Sequence, residues 1–156
     1  MTFHWEISED IFKYDGRRRE IFVPDTSLRD WESLLMFIAA QGYTLTYCNE
    51  SQFELFKDGK QNLGHHLTLF LEGVALHCHF YQEHEIALDL DPDEVTDKAT
   101  ANQVYGFMRA LAMALNKPVL LNYLNTRNSA LLGFDPKHKG FLTKDSELTS
   151  AVNQLT

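Results

Sequence analysis

Five of the seven histidines of this chain lie within one short stretch, from His65 to His84. The stretch alternates polar and aliphatic residues, a pattern typical of β-strands that have one buried face. The turn pair Glu72-Gly73 and a loop at 82–84 divide it into three strands, which predicts an antiparallel meander. Imidazole and carboxylate side chains bind metal ions and transfer protons, so this stretch has the clearest chemical capacity in the chain.

The register that these turns impose places a set of polar side chains on one common face. We take this set as the candidate binding face of the protein: His66, Thr68, His77, His79, Tyr81, Glu85 and Asp89. Within it, a two-residue first turn puts His66 opposite His79, and a three-residue second loop puts His77 opposite Asp89. The aliphatic residues of the same three strands are expected on the opposite, buried face.

Four interpretations of this face are open. The first is a metal site for Zn²⁺ or Fe²⁺, because Cβ atoms of opposed residues lie about 4.5–5.5 Å apart. Its ligands would be His66, His77, His79 and Asp89. The same spacing suits acid–base chemistry by His77 and Asp89. Polar residues also occupy the exposed face of antiparallel sheets that have no special chemistry. We favour a face that contacts a protein partner, with no cofactor and no catalytic residue.

Other functional motifs are weak or missing. The acidic segment from Asp89 to Asp97 imitates the start of a calcium loop, but Glu94 stands where that loop needs glycine, and Thr100 replaces its closing glutamate. Acidic residues before a helix also stabilise its positive N-terminal end. The sequence contains none of the glycine-rich nucleotide-binding signatures and no Gly-x-Ser-x-Gly hydrolase motif.

Composition narrows the class of protein. The 156 residues are 44% hydrophobic with a net charge of −8, which predicts one globular domain over 1–156 with an irregular tail from about 137 to 156. An acidic chain does not suit a nucleic-acid surface and is steered instead toward basic partners. The start lacks a signal peptide, and no apolar run has the length of about 20 residues that spans a membrane, so we expect a cytoplasmic protein.

The remaining elements are read from periodicity and turn residues. A hairpin is expected over 11–23, turning at Asp15-Gly16, with the three arginines that follow the turn on a solvated face. A helix is expected from residue 28, capped by Asp25, Thr26 or Ser27 and ended by Gly42. A second helix opens with a capping box at Thr100 and Gln103 and ends at Asn116. Further strands are expected over three segments, 43–48, 53–57 and 119–124, and a short helix over 125–132.

These elements predict an α+β fold. Sequential strands joined by tight turns favour an antiparallel sheet of about seven to eight strands, and the alternation leaves one face for two main helices to cover. The function expected of such a fold is that of a non-enzymatic binding protein that uses the open sheet face and the acidic loops. The alternative is a metal-dependent or histidine-based enzyme on the same face.

Two parts of the chain resemble small uncharacterised bacterial proteins. The first is the segment REIFVPDTSLRDW at 19–31, and the second combines residues 107–122 with ALLGFDP at 130–136. Some of these proteins are suspected immunity proteins, which neutralise a toxin by covering its active surface. The resemblance covers about a third of the chain and involves structural motifs, so it implies a protein partner but assigns no functional residue.

Overall fold

The computed structural model describes residues 5–48, 66–80, 82–124, 126 and 130–143. Three helices lie in these ranges: α1 (Trp5–Ile11), α2 (Leu28–Gln41) and α3 (Lys98–Leu115). Eight strands accompany them: β1 (Arg19–Val23), β2 (Thr44–Cys48), β3 (His66–Leu71), β4 (Val74–His79), β5 (Ile86–Leu90), β6 (Val119–Tyr123), β7 (Leu132–Asp135) and β8 (Gly140–Thr143). The expected strand at 53–57 lies outside the described residues.

The strands form one antiparallel sheet in the order β2-β3-β4-β5-β1-β6-β7-β8. Strand β1 is the first in sequence but lies in the interior of the sheet, paired with β5 on one side and β6 on the other. The predicted class, an α+β fold with an antiparallel sheet of seven to eight strands and helices on one face, is confirmed. None of the helices within the described ranges has the length and apolar character needed to cross a membrane.

The histidine meander has the register expected from its turns. His66 lies opposite His79 and Thr68 opposite His77, and the next hairpin sets His77 opposite Asp89. The alternating apolar residues are all buried in the core beneath the helices: Leu67, Leu69, Leu71, Leu76, Cys78, Phe80, Ile86, Leu88 and Leu90. Burial of this row, at about 25 cal/mol per Å² of apolar surface, is what fixes which way the histidines point.

The ends of the two long helices follow from local sequence. Ser27 is the N-cap of α2, and its backbone N–H donates to the Asp30 carboxylate at 2.9 Å. Gly42 ends α2 and Asn116 ends α3, both with left-handed backbone (φ of 72° and 53°) that these residue types tolerate best. All three positions agree with the prediction.

The expected hairpin over 11–23 is wrong in its first half. Residues up to Ile11 form α1, and only residues 19–23 form a strand. The end of α1 is held by Arg19, whose fully buried guanidinium donates to the carbonyl oxygens of Ile11 and Lys13, each at 2.7 Å. Arg19 is therefore an internal anchor, and the prediction of a solvated arginine run fails for it.

Three smaller predictions also need correction. The capping box of α3 begins at Asp97, whose carboxylate accepts from the Thr100 backbone N–H at 2.9 Å, so Thr100 lies one turn inside the helix. Leu132 belongs to β7 and not to a short helix. The expected irregular tail contains a strand, since 140–143 pair with β7 as β8.

We expect Lys117→Met to lower the free energy of unfolding by about 1 kcal/mol. Lys117 Nζ donates to the Asp25 carbonyl at 2.5 Å and to Asp30 Oδ2 at 2.8 Å, so it ties the end of α3 to the start of α2. Denaturant unfolding measures the loss, with the exposed Lys98→Met as the matched control. Equal losses in the two variants would contradict a specific tie.

Candidate functional site

A row of polar residues crosses six adjacent strands on the sheet face opposite the helices. The backbone register sets them side by side in this order, called here the polar row: Thr46, Thr68, His77, Asp89, Glu20 and Asn122. His66 and His79 form the neighbouring pair on the same face, 5.6 Å apart between ring centroids. We call this side of the sheet the histidine face.

Asp89 organises the centre of the histidine face. Its Oδ1 accepts from Arg18 Nε at 2.5 Å, and its Oδ2 accepts from His79 Nε2 at 2.9 Å. Burial would raise the pKa of Asp89, but the hydrogen bonds from His79 and Arg18 outweigh it and lower that pKa below the ordinary value of an aspartate. Asp89 is therefore an ionised acceptor that fixes both the imidazole and the guanidinium.

A second hydrogen-bonded pair lies beside the first. Thr68 Oγ1 and His77 Nδ1 are 2.9 Å apart, and Thr68 is buried. Burial lowers the pKa of His77; the Asp89 carboxylate opposes this, while the nearby Arg18 and the other two imidazoles lower the pKa further. His77 is thus held neutral and in a fixed orientation at neutral pH.

Exposure changes along the histidine face. Toward β6–β8 it is closed by a small apolar cluster of Phe22, Leu120 and Ala130, with Leu142 packed against it. Toward β2–β4 it opens, and Phe70 is 41% exposed there. The three imidazoles are half-buried, with their rings partly in contact with solvent. The accessible part of the face is therefore aromatic and imidazole-rich.

Asn122 is the unusual member of the polar row. Its side chain is fully buried, yet neither Nδ2 nor Oδ1 has a hydrogen-bond partner in the described part of the chain. Glu20, directly opposite on β1, is also buried. An unsatisfied buried amide is rare in proteins, because its desolvation is not compensated by a hydrogen bond. The amide of Asn122 is therefore expected to lower the free energy of unfolding.

The structure brings together most of the predicted site and adds residues that the sequence analysis missed. His66, His77, His79 and Asp89 cluster as expected with Thr68, whereas Glu85 directly precedes β5 and accepts from Gln82 Nε2. Tyr81 lies outside the described residues. The missed residues are Arg18, Glu20 and Asn122; only the alternation of β1 hinted that Glu20 faces away from the core.

The arrangement does not form a coordination sphere. In the ranges described above, no group of three or more histidine, cysteine, aspartate or glutamate side chains could hold a metal ion. Both oxygens of Asp89 are engaged, by Arg18 and by His79. The zinc or iron site on His66, His77, His79 and Asp89 stays a prediction of the sequence, and this geometry favours a hydrogen-bonded network.

The acidic segment after β5 has structural tasks. Asp91 caps a single helical turn at Pro92–Glu94 by accepting from the Asp93 N–H at 2.9 Å. Glu94 accepts from the Ala75 N–H, and Asp97 caps α3. These contacts account for several of the acidic residues without a calcium ion, while Asp93 and the turn residue Glu72 remain exposed.

We expect Asp89→Asn to lower the free energy of unfolding by about 1–3 kcal/mol at neutral pH, because Arg18 and His79 lose a charged acceptor. The pKa of Asp89 is lower in the folded than in the unfolded protein, so its carboxylate stabilises the fold at a pH above the unfolded-state pKa of about 3.9. The stability difference between the native protein and Asp89→Asn is therefore lost as the pH falls through the folded-state pKa. Urea unfolding at several pH values measures it, with the exposed Asp93→Asn as control. A pH-independent difference would contradict this assignment.

Comparison of the sequence with protein-family models and with curated proteins finds no match. The resemblance to small bacterial proteins stays a prediction. The chemistry of the site is therefore inferred from its geometry. Two hydrogen-bonded pairs, Asp89 with His79 and Thr68 with His77, lie on the same sheet face as the exposed Phe70.

Proposed function

We propose that this chain is a non-enzymatic binding protein that contacts a protein partner through the histidine face. The observation that carries the proposal is the exposed Phe70 on the same sheet face as three imidazoles, which the strand register holds in fixed positions. Aromatic and arginine side chains are enriched at the centres of protein interfaces, and most binding energy comes from a few such residues. The face therefore has the composition of an interface.

Rigidity supports the same proposal. Asp89 holds His79 and Arg18, and Thr68 holds His77, so few rotamers remain to be fixed when a partner docks. Ordering a mobile side chain at an interface costs about 0.5–1.5 kcal/mol, so a network that is already fixed favours binding. The exposed acidic loop residues Glu72 and Asp93 and the net charge of −8 add electrostatic steering. Immunity-like binding, in which the protein neutralises a toxin by covering its active surface, is one form of this function.

The proposal is tested by capture of a partner followed by reconstitution from purified components. The full chain is immobilised in its native form and as Phe70→Ala and His66→Ala variants, and a captured protein is then purified and titrated by calorimetry. We expect Phe70→Ala to weaken its affinity by about tenfold or more, as for a central interface residue.

The matched control is the outer surface of the helix layer, where Met36 and Met113 are 73% and 51% exposed. Met36→Ala and Met113→Ala should leave the affinity unchanged. A partner whose affinity depends on these methionines and not on Phe70 would overturn the proposal.

A histidine-based or metal-dependent enzyme is the second candidate. Two contacts favour it: the carboxylate of Asp89 orients His79, and His77 shares a hydrogen bond with the Thr68 hydroxyl. Elemental analysis of the purified protein, compared with His77→Ala and His79→Ala, tests the metal-dependent form. Near-stoichiometric metal that is lost in both variants would favour it over the binding proposal.

A further inference from the structure

Helix α1 has little stability of its own. It contains seven residues, from Trp5 to Ile11, whereas isolated helices shorter than about 12–15 residues are marginal in water. Its last turn carries the exposed acidic residues Glu9 and Asp10 and no basic residue, although the negative end of a helix favours cations. The docked form of α1 therefore depends on contacts with the rest of the protein.

The buried guanidinium of Arg19 supplies the missing cation. Its Nε donates to the carbonyl of Ile11, the last residue of α1, and its Nη2 donates to the Lys13 carbonyl, both at 2.7 Å. Ser8 Oγ and the Tyr105 hydroxyl share one further hydrogen bond of 2.8 Å. A buried guanidinium that loses its acceptors is strongly unfavourable, so undocking of α1 would displace Arg19 from its buried position.

Displacement of Arg19 would disturb the start of β1. Arg19 is the first residue of that strand, where it pairs with Leu90 on β5 and with Tyr123 on β6. The preceding residue, Arg18, donates to Asp89 Oδ1 on the histidine face. Loss of the first pairs of β1 would free the backbone of Arg18, and with it the contact that holds Asp89.

We propose that α1 is a latch for the histidine face, whose undocking releases Arg19 and loosens the hydrogen bonds of Arg18 and Asp89 on the other side of the sheet. Asp89 Oδ2 accepts from His79 Nε2 at 2.9 Å, so His79 loses its fixed orientation when Asp89 moves. Linkage makes the effect reciprocal, because a contact that holds Arg18 on Asp89 also holds α1 in place. This inference concerns the chain without a partner and does not rest on the proposed binding function.

Hydrogen exchange of the purified full chain, followed by mass spectrometry, tests this coupling from the side of the histidine face. We expect Asp89→Asn to speed the exchange of the α1 amides by about fivefold or more, although Asp89 lies on the opposite side of the sheet. The amides of α3 are the internal reference and should change less, because core helices exchange through larger openings. Lys117→Met, which removes an ion pair with Asp30 at the end of α3, is the matched control and should leave α1 exchange at the native rate.

The outcomes decide the inference in both directions. A rise confined to α1 in Asp89→Asn supports it, whereas exchange at the native rate overturns it. A rise that is equally large in α3 or in Lys117→Met also overturns it, because the loosening is then general. If Asp89→Asn does not fold, Arg18→Met takes its place with the same expected result, since it removes the same contact from the other side. None of these measurements involves a partner, so Phe70→Ala decides the proposed function separately.

Discussion

Replacing Arg19 with methionine is expected to lower the free energy of unfolding by about 3 kcal/mol or more. The Arg19 side chain is fully buried, and its three nitrogens donate to the carbonyl oxygens of Ile11, Lys13 and Arg17, each at 2.7 Å. Its Nη1 also lies 3.2 Å from Asp15. Methionine fills much of the space but leaves three carbonyl acceptors without their donors, one of them in the buried Ile11, and this loss outweighs the gain from removing a buried charge.

Denaturant unfolding of Arg19→Met measures the loss, and Arg17→Met is the matched control. Arg17 is the same residue type two positions earlier, with 55% of its side chain exposed, so its ion pair with Asp15 is screened by solvent and contributes little to stability. Arg19→Lys should recover only part of the stability, because one ammonium cannot reproduce the planar fork. If Arg19→Met and Arg17→Met cost the same, the anchoring role of Arg19 is wrong.

Replacing Asn122 with leucine is expected to raise the free energy of unfolding by about 1–2 kcal/mol. The fully buried amide makes no hydrogen bond to the rest of the described structure, so its desolvation is not compensated. Leucine has a similar volume and neighbours an apolar cluster that includes Leu120. Thermal and urea unfolding of the isolated protein measure the change.

The companion variant Asn122→Asp gives the opposite sign. It places a carboxylate directly opposite the buried Glu20, which itself lies opposite Asp89 on the next strand. The variant should therefore destabilise the fold by about 2 kcal/mol or more. A loss of stability in Asn122→Leu would show that the amide has a partner in solution, such as an internal water molecule, and would contradict the expected gain.

The meander was predictable because its information is local. The turn at Glu72-Gly73 and the strict alternation of the flanking strands determine the register, and a slip by one residue would expose every leucine. The end positions of α2 and α3 at Gly42 and Asn116 are local in the same way, since each needs a residue that tolerates left-handed backbone.

The rest of the site depends on contacts that no local pattern encodes. Strand β1 pairs with β5 and β6, about 70 and 100 residues away along the chain, and only this pairing places Glu20 between Asp89 and Asn122. Arg18 and Arg19 are adjacent residues in one cationic run, yet Arg18 bonds Asp89 and Arg19 bonds the last carbonyl of α1. Composition cannot tell which arginine faces Asp89 and which is buried. Alternation along the β1 segment puts the two on opposite faces, but this assigns their roles only once the position of β1 in the sheet is known.

The position of β1 also determines how the sheet is assembled. Strands β2 to β5 follow one another in sequence and in space, and so do β6 to β8, so each group can form by local hairpin closure. Strand β1 joins the two groups, and its pairing with β6 needs the chain up to residue 123. A chain truncated before β6 leaves β1 without its second partner strand, so such a chain is expected to be prone to edge-to-edge aggregation. The first strand of the sequence thus gains its second neighbour only when the chain has reached β6.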